Sequence, residues 1–404
     1  MIILGNNLIH FVFQIVKKII IAGIITLSFL IYLDVTVIDK NVNTNPLTDH
    51  TDNLLYIERA KTIINGGLLY RDVVTKTPPL INYLLIPPVY FGASPVAFEI
   101  YFSFFIMLTA VSIYYFLSSI NKKLAYKSSF LFLFIPTVLA TSTFCRQDES
   151  ITVFFFTFPL LLLYGREKKF LYSIFSSIGI WIKMHPIFLV PPFLIKQGKK
   201  EILKHVLIIV AISLAIIMPF LIFAFDEFIW FIKFYFFGKG EELQGISLWR
   251  IMDAIGFSIP SIFLIALFFV FLIATYVKFR KNSVWKMVLI SLIGYFILYP
   301  KIHYEYYIIL FAVALPYLAE NKRDVIMIYA ISVLTSITLL IEQRYLDWKT
   351  TDYAYWLFIS IAIACMIIVN AIFIYLLFHI SKKDSWLDKR QFNISKNNTN
   401  LQGP

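Results

Sequence analysis

The sequence predicts an all-α fold: a polytopic bundle of transmembrane helices with about 11 to 12 spans, one of them a broken or re-entrant pair. A long external first loop carrying a juxtamembrane helix completes the expectation. Two observations lead there. Of 404 residues, 59% are hydrophobic and only 15% are charged, outside the range of a soluble domain of this length. Apolar runs of roughly 20 residues, enough to cross a hydrocarbon layer of about 30 Å, also recur along nearly the whole chain.

Those runs lie near 19–38, 96–119, 124–142, 150–164, 170–195, 203–225, 257–278, 284–300, 303–319, 324–341 and 354–380. Helices are required because an unpaired backbone amide in lipid costs several kcal/mol, and the runs lack the alternation of a barrel strand. Lys17 and Lys18 precede the first run and no small-residue cleavage site follows it, so it is expected to be a retained helix. Residues 1–381 form one transmembrane domain in this reading, with 34–95 as its first external loop and 382–404 as a polar cytoplasmic tail.

Orientation follows from the bases. If Lys17 and Lys18 are cytoplasmic, that side carries 23 Lys and Arg against 6 Asp and Glu, and the other side 13 against 18. This asymmetry obeys the positive-inside rule and predicts a multi-pass cell-membrane protein with both termini in the cytoplasm. The net charge of +12 is thus a topology signal, and no nucleic-acid module is present. The run 170–195 has bases on both flanks and fits only if it doubles back. Pro186 ends a helix near Lys183-Met184-His185, which places Lys183 and His185 at the apex. Ionisable groups within a span are costly and usually functional.

The first external loop, of which about 57 residues lie between the runs ending at 38 and beginning at 96, is too long and too patterned for a plain linker. From Asp52, Tyr56, Ile57, Ala60, Ile63 and Ile64 share one helical face, with Glu58, Arg59, Lys61 and Thr62 opposite. An amphipathic helix along the outer interface is expected, ended by Gly66-Gly67. Asp52 stands at its N-terminus, where the plain reading is an N-cap. After it come Tyr70-Arg71-Asp72 and Lys76-Thr77-Pro78-Pro79-Leu80, a rigid turn back toward the bilayer.

Taken together, DNLLY from Asp52, then Ala60, Gly66-Gly67, Tyr70 and KTPPL resemble the first external loop of the GT-C glycosyltransferases. These are polytopic enzymes that use polyprenyl-phosphate-linked sugars and include dolichyl-phosphate-mannose mannosyltransferases and lipid A aminoarabinose transferases. The resemblance is motif-level in 49–95 and otherwise rests on the layout of spans and loops. It implies transfer of a sugar from a polyprenyl phosphate to an acceptor hydroxyl on a lipid, glycan or protein, at the external face, with membrane lipids as surroundings and no nucleic acid. It makes Asp52 the catalytic base, with Asp49 as the alternative. Lys76 takes the place of the family's lysine, with Thr77 inserted before the proline pair. Thr75 stands where some relatives carry a Glu, so no metal ligand set is assigned, no cofactor is fixed and a divalent metal stays open.

Three further clusters receive roles from the same resemblance. Arg146 and Asp148, in the turn Phe144–Ser150, match a short second external loop near the reaction centre; the plain reading is a charged turn. Lys183 and His185 match a basic position at a broken helix. Lys301, His303 and Tyr306 match a basic and aromatic stretch near the lipid phosphate. The chemistry is coherent: a carboxylate takes the acceptor proton, worth about 10² to 10⁴ in rate, and fixed cations hold the leaving phosphate. A single displacement inverts the anomeric centre.

A further external loop, 226–253, is rich in Trp230, Phe231, Phe234, Tyr235 and Phe237 and reads as an interfacial aromatic belt, with Arg250 near the next span. Cys145 and Cys365 are expected at different depths and hence unbridged. The sequons at Asn393 and Asn397 fall in the cytoplasmic tail. A transporter or flippase of a lipid-linked saccharide is the competing class. It calls for repeated halves with midplane binding groups, and neither is evident in the sequence.

Overall fold

The computed structural model describes residues 2–38, 40, 51–237, 243–347, 349 and 351–389. Helix dominates throughout. Among the described residues seven helices are long and apolar enough to cross a membrane, or eight if one bent pair is counted as a span. The chain is an all-α, multi-pass membrane protein.

Every apolar run coincides with helix, but not every run is a straight span. Lys122–Leu133 and Pro136–Ser142 meet at 56°, because Pro136 has no amide to donate and holds Ile135 extended. The run 170–195 also breaks where expected. Helix Lys169–Ile182 stops at Lys183, whose φ of −154° and ψ of 146° are those of a strand. A 3₁₀ turn, His185–Leu189, follows it. Val284–Leu298 and Tyr307–Leu318 are shorter than a typical span and almost wholly buried in protein. The first helix is longer than expected, running from Ile2 to Leu33 and ending in a π-helical turn, Asp34–Ile38.

By packing, the chain divides into two compact units, Met1–Ile187 with Leu203–Phe231, and Phe188–Ile202 with Ile232–Pro404. In the first unit the long helices are α1 (Ile2–Leu33), α5 (Pro95–Leu117) and α8 (Glu149–Arg166), with α9 (Lys169–Ile182) beside α8. The first loop contributes α2 (Asn53–Ile64), α3 (Pro79–Leu84) and α4 (Ile86–Tyr90). Pro79 opens α3 at the position where a missing amide costs nothing.

The loop helix does not lie on the surface as an interfacial strip. Tyr56 and Ala60 of α2 join Ile81, Leu85, Phe98, Phe102, Ile151 and Ile182 in one buried cluster. The Tyr56 ring meets Phe98 at 5.9 Å and Phe102 at 6.1 Å. The inward face is therefore rotated from the expected one. Arg59 is buried and Ile64 is 45% exposed, because tertiary packing on α5 and α9 outweighs the amphipathic pattern. Gly66 ends the helix at φ +81°, as its sequence position implied.

In the second unit, Gln244–Gly245 and Lys301–Ile302 form a short parallel pair. The segment after α18 (Tyr355–Lys382) departs from the solvated tail expected there. Trp386, Leu387 and Asp388 are buried. Trp386 donates its indole N–H to the Pro316 carbonyl at 2.7 Å and its backbone N–H to Glu320 Oε2 at 3.1 Å. Ser283 and Tyr317 hydroxyls donate to the Asp388 carboxylate. Lys286 Nζ pairs with Asp384 Oδ1 at 2.8 Å. Both cysteines are free and buried.

Candidate functional site

Helix ends position the ionisable groups of the first unit. Asp148 precedes the first turn of α8 and Glu149 begins it, where the helix dipole favours negative charge. Lys183 stands just past the end of α9. It bridges both acids, with Nζ 2.9 Å from Asp148 Oδ1 and 2.6 Å from Glu149 Oε1. All three are buried, so the pairing is strongly felt and costly to break.

Asp52 approaches this group from α2. Although it occupies the N-cap position, its side chain makes no capping hydrogen bond. The carboxylate instead interacts with the Tyr56 hydroxyl, one turn on. That hydroxyl lies 3.3 Å from Gln147 Oε1, to which it can donate, and accepts the Asp148 backbone N–H at 3.2 Å. Tyr56 thus ties the loop helix to the turn before α8. Asp52 is exposed to solvent, while enough protein surrounds its carboxylate to desolvate it in part. Its pKa is raised, chiefly by desolvation and then by the negative Asp148; Lys183, Arg59 and Tyr56 oppose the rise.

A second, deeper group joins the π-helical turn after α1, α5 and the turn before α8. Arg146 Nη1 lies 3.4 Å from Asp34 Oδ2 and 3.3 Å from Glu99 Oε1, with all three side chains nearly inaccessible. Arg146 adopts φ +47°, a left-handed conformation that costs a non-glycine residue and is held by its surroundings. Expected at a lipid phosphate, Arg146 is instead enclosed and occupied by two carboxylates.

The remaining expected residues are distributed as follows. Lys76 is exposed, between a buried Thr75 and Thr77. The inserted Thr77 has a structural task, because Asn82 Nδ2 donates to its hydroxyl at 3.0 Å and to the Pro78 carbonyl at 3.0 Å. His185 is half-buried in the turn after Lys183. Lys301, His303 and Tyr306 lie in the second unit, with the His303 and Tyr306 rings 5.3 Å apart. Asp49 lies outside the described residues, as do Asn393 and Asn397. Asp72 is unsuited to proton transfer, since hydrogen bonds from Arg71 and the Leu68 amide hold its pKa at about 2.

So the structure brings Asp52, Asp148 and Lys183 into one cluster, with Arg146 in the adjoining turn. Sequence reasoning missed Asp34, Glu99, Tyr56, Arg59 and Glu149 as members. For Asp34 and Glu99 a signal existed, since each is an acid inside an apolar run, the rule that singled out Lys183. Among the described residues no group of three or more His, Cys, Asp or Glu is placed to hold a metal ion. Compared with known proteins, the chain matches no protein-family model and no curated protein.

Proposed function

We propose that the chain is an integral-membrane inverting glycosyltransferase of the GT-C kind, moving a sugar from a polyprenyl phosphate to an acceptor hydroxyl at the external membrane face. One observation supports this reading above the others. Asp52 is a solvent-open carboxylate, not used as a helix cap, with a raised pKa, held beside the Lys183–Asp148–Glu149 group. A carboxylate with that placement suits a general base. In the reaction, the acceptor oxygen loses its proton to Asp52 and bonds to the anomeric carbon. The bond from that carbon to the phosphate oxygen breaks, and the electron pair leaves with the polyprenyl phosphate. Lys76, exposed in the loop that carries Asp52, is the cation of the proposed set suited to meet it, while Lys183, like Arg146, is held between two carboxylates. Arg146 acts at one remove, fixing the turn that presents Asp148.

The pH dependence has a definite sign. Asp52 works as the carboxylate, so kcat/KM falls as pH drops through its pKa. Because that pKa is raised, the fall begins above the range of a surface aspartate, about 3.9. By linkage, whatever stability this group contributes is full at low pH and is lost as pH rises through the folded pKa. A pH profile of transfer checks this; an acid limb at or below the ordinary aspartate range contradicts it.

Topology is tested separately. The base asymmetry supports cytoplasmic termini, so reporter fusions at Lys18 and Lys383 are expected to give cytoplasmic signals. An external signal at either moves the site to the wrong side for a lipid-linked donor. The function itself is tested by incubating purified protein with a panel of polyprenyl-phosphate sugars and following transfer; no turnover of any donor defeats the reading.

A further inference from the structure

The first unit holds a cleft of about 380 Å³ that the catalytic scheme does not use, lined by Tyr70, Val74, Thr75, Asp226, Glu227 and Trp230. Its wall is built, not incidental. Tyr70 is a buried residue at φ +72°, a conformation that costs free energy. Its hydroxyl donates to the Thr77 carbonyl at 2.8 Å. Its ring is packed among Phe220, Phe228 and Phe231 with centroids 5.2 to 5.4 Å away. Phe231 is therefore part of this support and not of an interfacial belt. Against that wall Trp230 is 44% exposed and Val74 72% exposed, leaving apolar surface open to the cleft. Asp226 and Glu227 begin helix α12 (Phe225–Phe237), and both are exposed.

The lining selects among ligands. Carboxylates only accept hydrogen bonds, so an occupant must present donors. Two adjacent carboxylates repel a phosphate, so the cleft is unsuited to the leaving group of the donor lipid. Arg71 lies close enough to Glu227 to feel its charge. Its guanidinium is paired with Asp72, Nη2 lying 2.8 Å from Oδ2, and its remaining N–H groups add donors beside the cleft. Groups that both donate and accept, beside an aromatic face that takes up C–H surface, are met by a neutral polyhydroxyl ring.

We infer that this cleft binds a neutral saccharide, the sugar end of the acceptor. The acceptor role rests on the transferase reading, while the binding of a neutral sugar does not. The same loop that carries Asp52 also supplies Tyr70, Val74 and Thr75, so one segment serves the base and the acceptor.

Saturation-transfer NMR tests this on the full chain, in a detergent without a sugar headgroup. The probes are methyl glucoside, methyl mannoside and N-acetylglucosamine, with glucose 1-phosphate and choline as charged controls. At least one neutral sugar is expected to receive saturation, and the charged probes none. Trp230→Ala, and separately Asp226→Asn with Glu227→Gln, are expected to weaken binding by about tenfold or more, the weight of lost charge-assisted hydrogen bonds or an aromatic platform. Asp52→Asn is expected to bind as the parent does, and a thermal melt on each variant separates lost binding from lost folding. Neutral sugars that fail to bind, that bind equally to folded Trp230→Ala, or that are outcompeted by glucose 1-phosphate or choline overturn the inference. If neutral sugars bind at the cleft but no polyprenyl-phosphate sugar is turned over, the cleft stands and the transferase reading falls. If turnover depends on Asp52 but no neutral sugar binds, the reverse holds.

Discussion

Asp52→Asn is expected to lower sugar transfer by about 10² or more while leaving the protein folded and able to bind its donor. Asn keeps the size of the side chain and can still cap a helix. Since Asp52 makes no capping bond, the fold loses little by the exchange. The neighbours also gain, because removing this charge relieves its repulsion with Asp148. A role confined to helix structure therefore predicts a normal enzyme, and a role as base predicts a dead one of undiminished stability. Asp49→Asn, measured beside it, decides the register. Full activity in Asp52→Asn with loss in Asp49→Asn moves the base to Asp49; full activity in both removes it from this loop.

The largest expected effect on stability falls on Arg146. Met in its place takes away the guanidinium that Asp34 and Glu99 both approach, and both carboxylates are nearly inaccessible. Breaking a buried ion group on one side costs about 3 to 5 kcal/mol, more than the ion group adds relative to an apolar replacement. The left-handed backbone at 146 is equally unfavourable to Met and to Arg, so it adds nothing to the difference. A pronounced drop in thermal midpoint is expected for Arg146→Met. Adding Asp34→Asn and Glu99→Gln is expected to recover much of it, since neutral amides tolerate burial without the guanidinium. An unchanged melt in the single variant contradicts the buried trio.

Much of the architecture was legible because the bilayer imposes it. A run such as 203–225 has no alternative to helix in lipid, and Pro186 and Gly66 stop their segments by local backbone chemistry alone. What could not be read was tertiary. Arg146 meets Asp34 across 112 positions and Glu99 across 47, and no periodicity encodes such pairings. Arg59 looked like a solvent residue because the helical wheel assumes a flat apolar surface, whereas α2 packs into a crowded one. Lys183 was legible as a costly charge within a span, but its two carboxylate partners lie on another helix. That Val284–Leu298 and Tyr307–Leu318 are enclosed by protein was not legible, because a helix buried in protein and one facing lipid carry the same apolar composition. The docked segment at Trp386 was hidden by polar neighbours, since its burial depends on a carbonyl and a carboxylate presented by other helices.

The measurement that bears most directly on the transferase reading follows both products of one turnover. Purified protein is given a polyprenyl-phosphate sugar of known anomeric configuration and a mixture of acceptors, and mass spectrometry and NMR track the lipid and the sugar. The account predicts one polyprenyl phosphate released for each sugar transferred, an inverted anomeric linkage in the product, and loss of both signals in Asp52→Asn. Intact lipid-linked saccharide moving between the leaflets of proteoliposomes, with no sugar–phosphate bond broken, contradicts it and identifies a transporter.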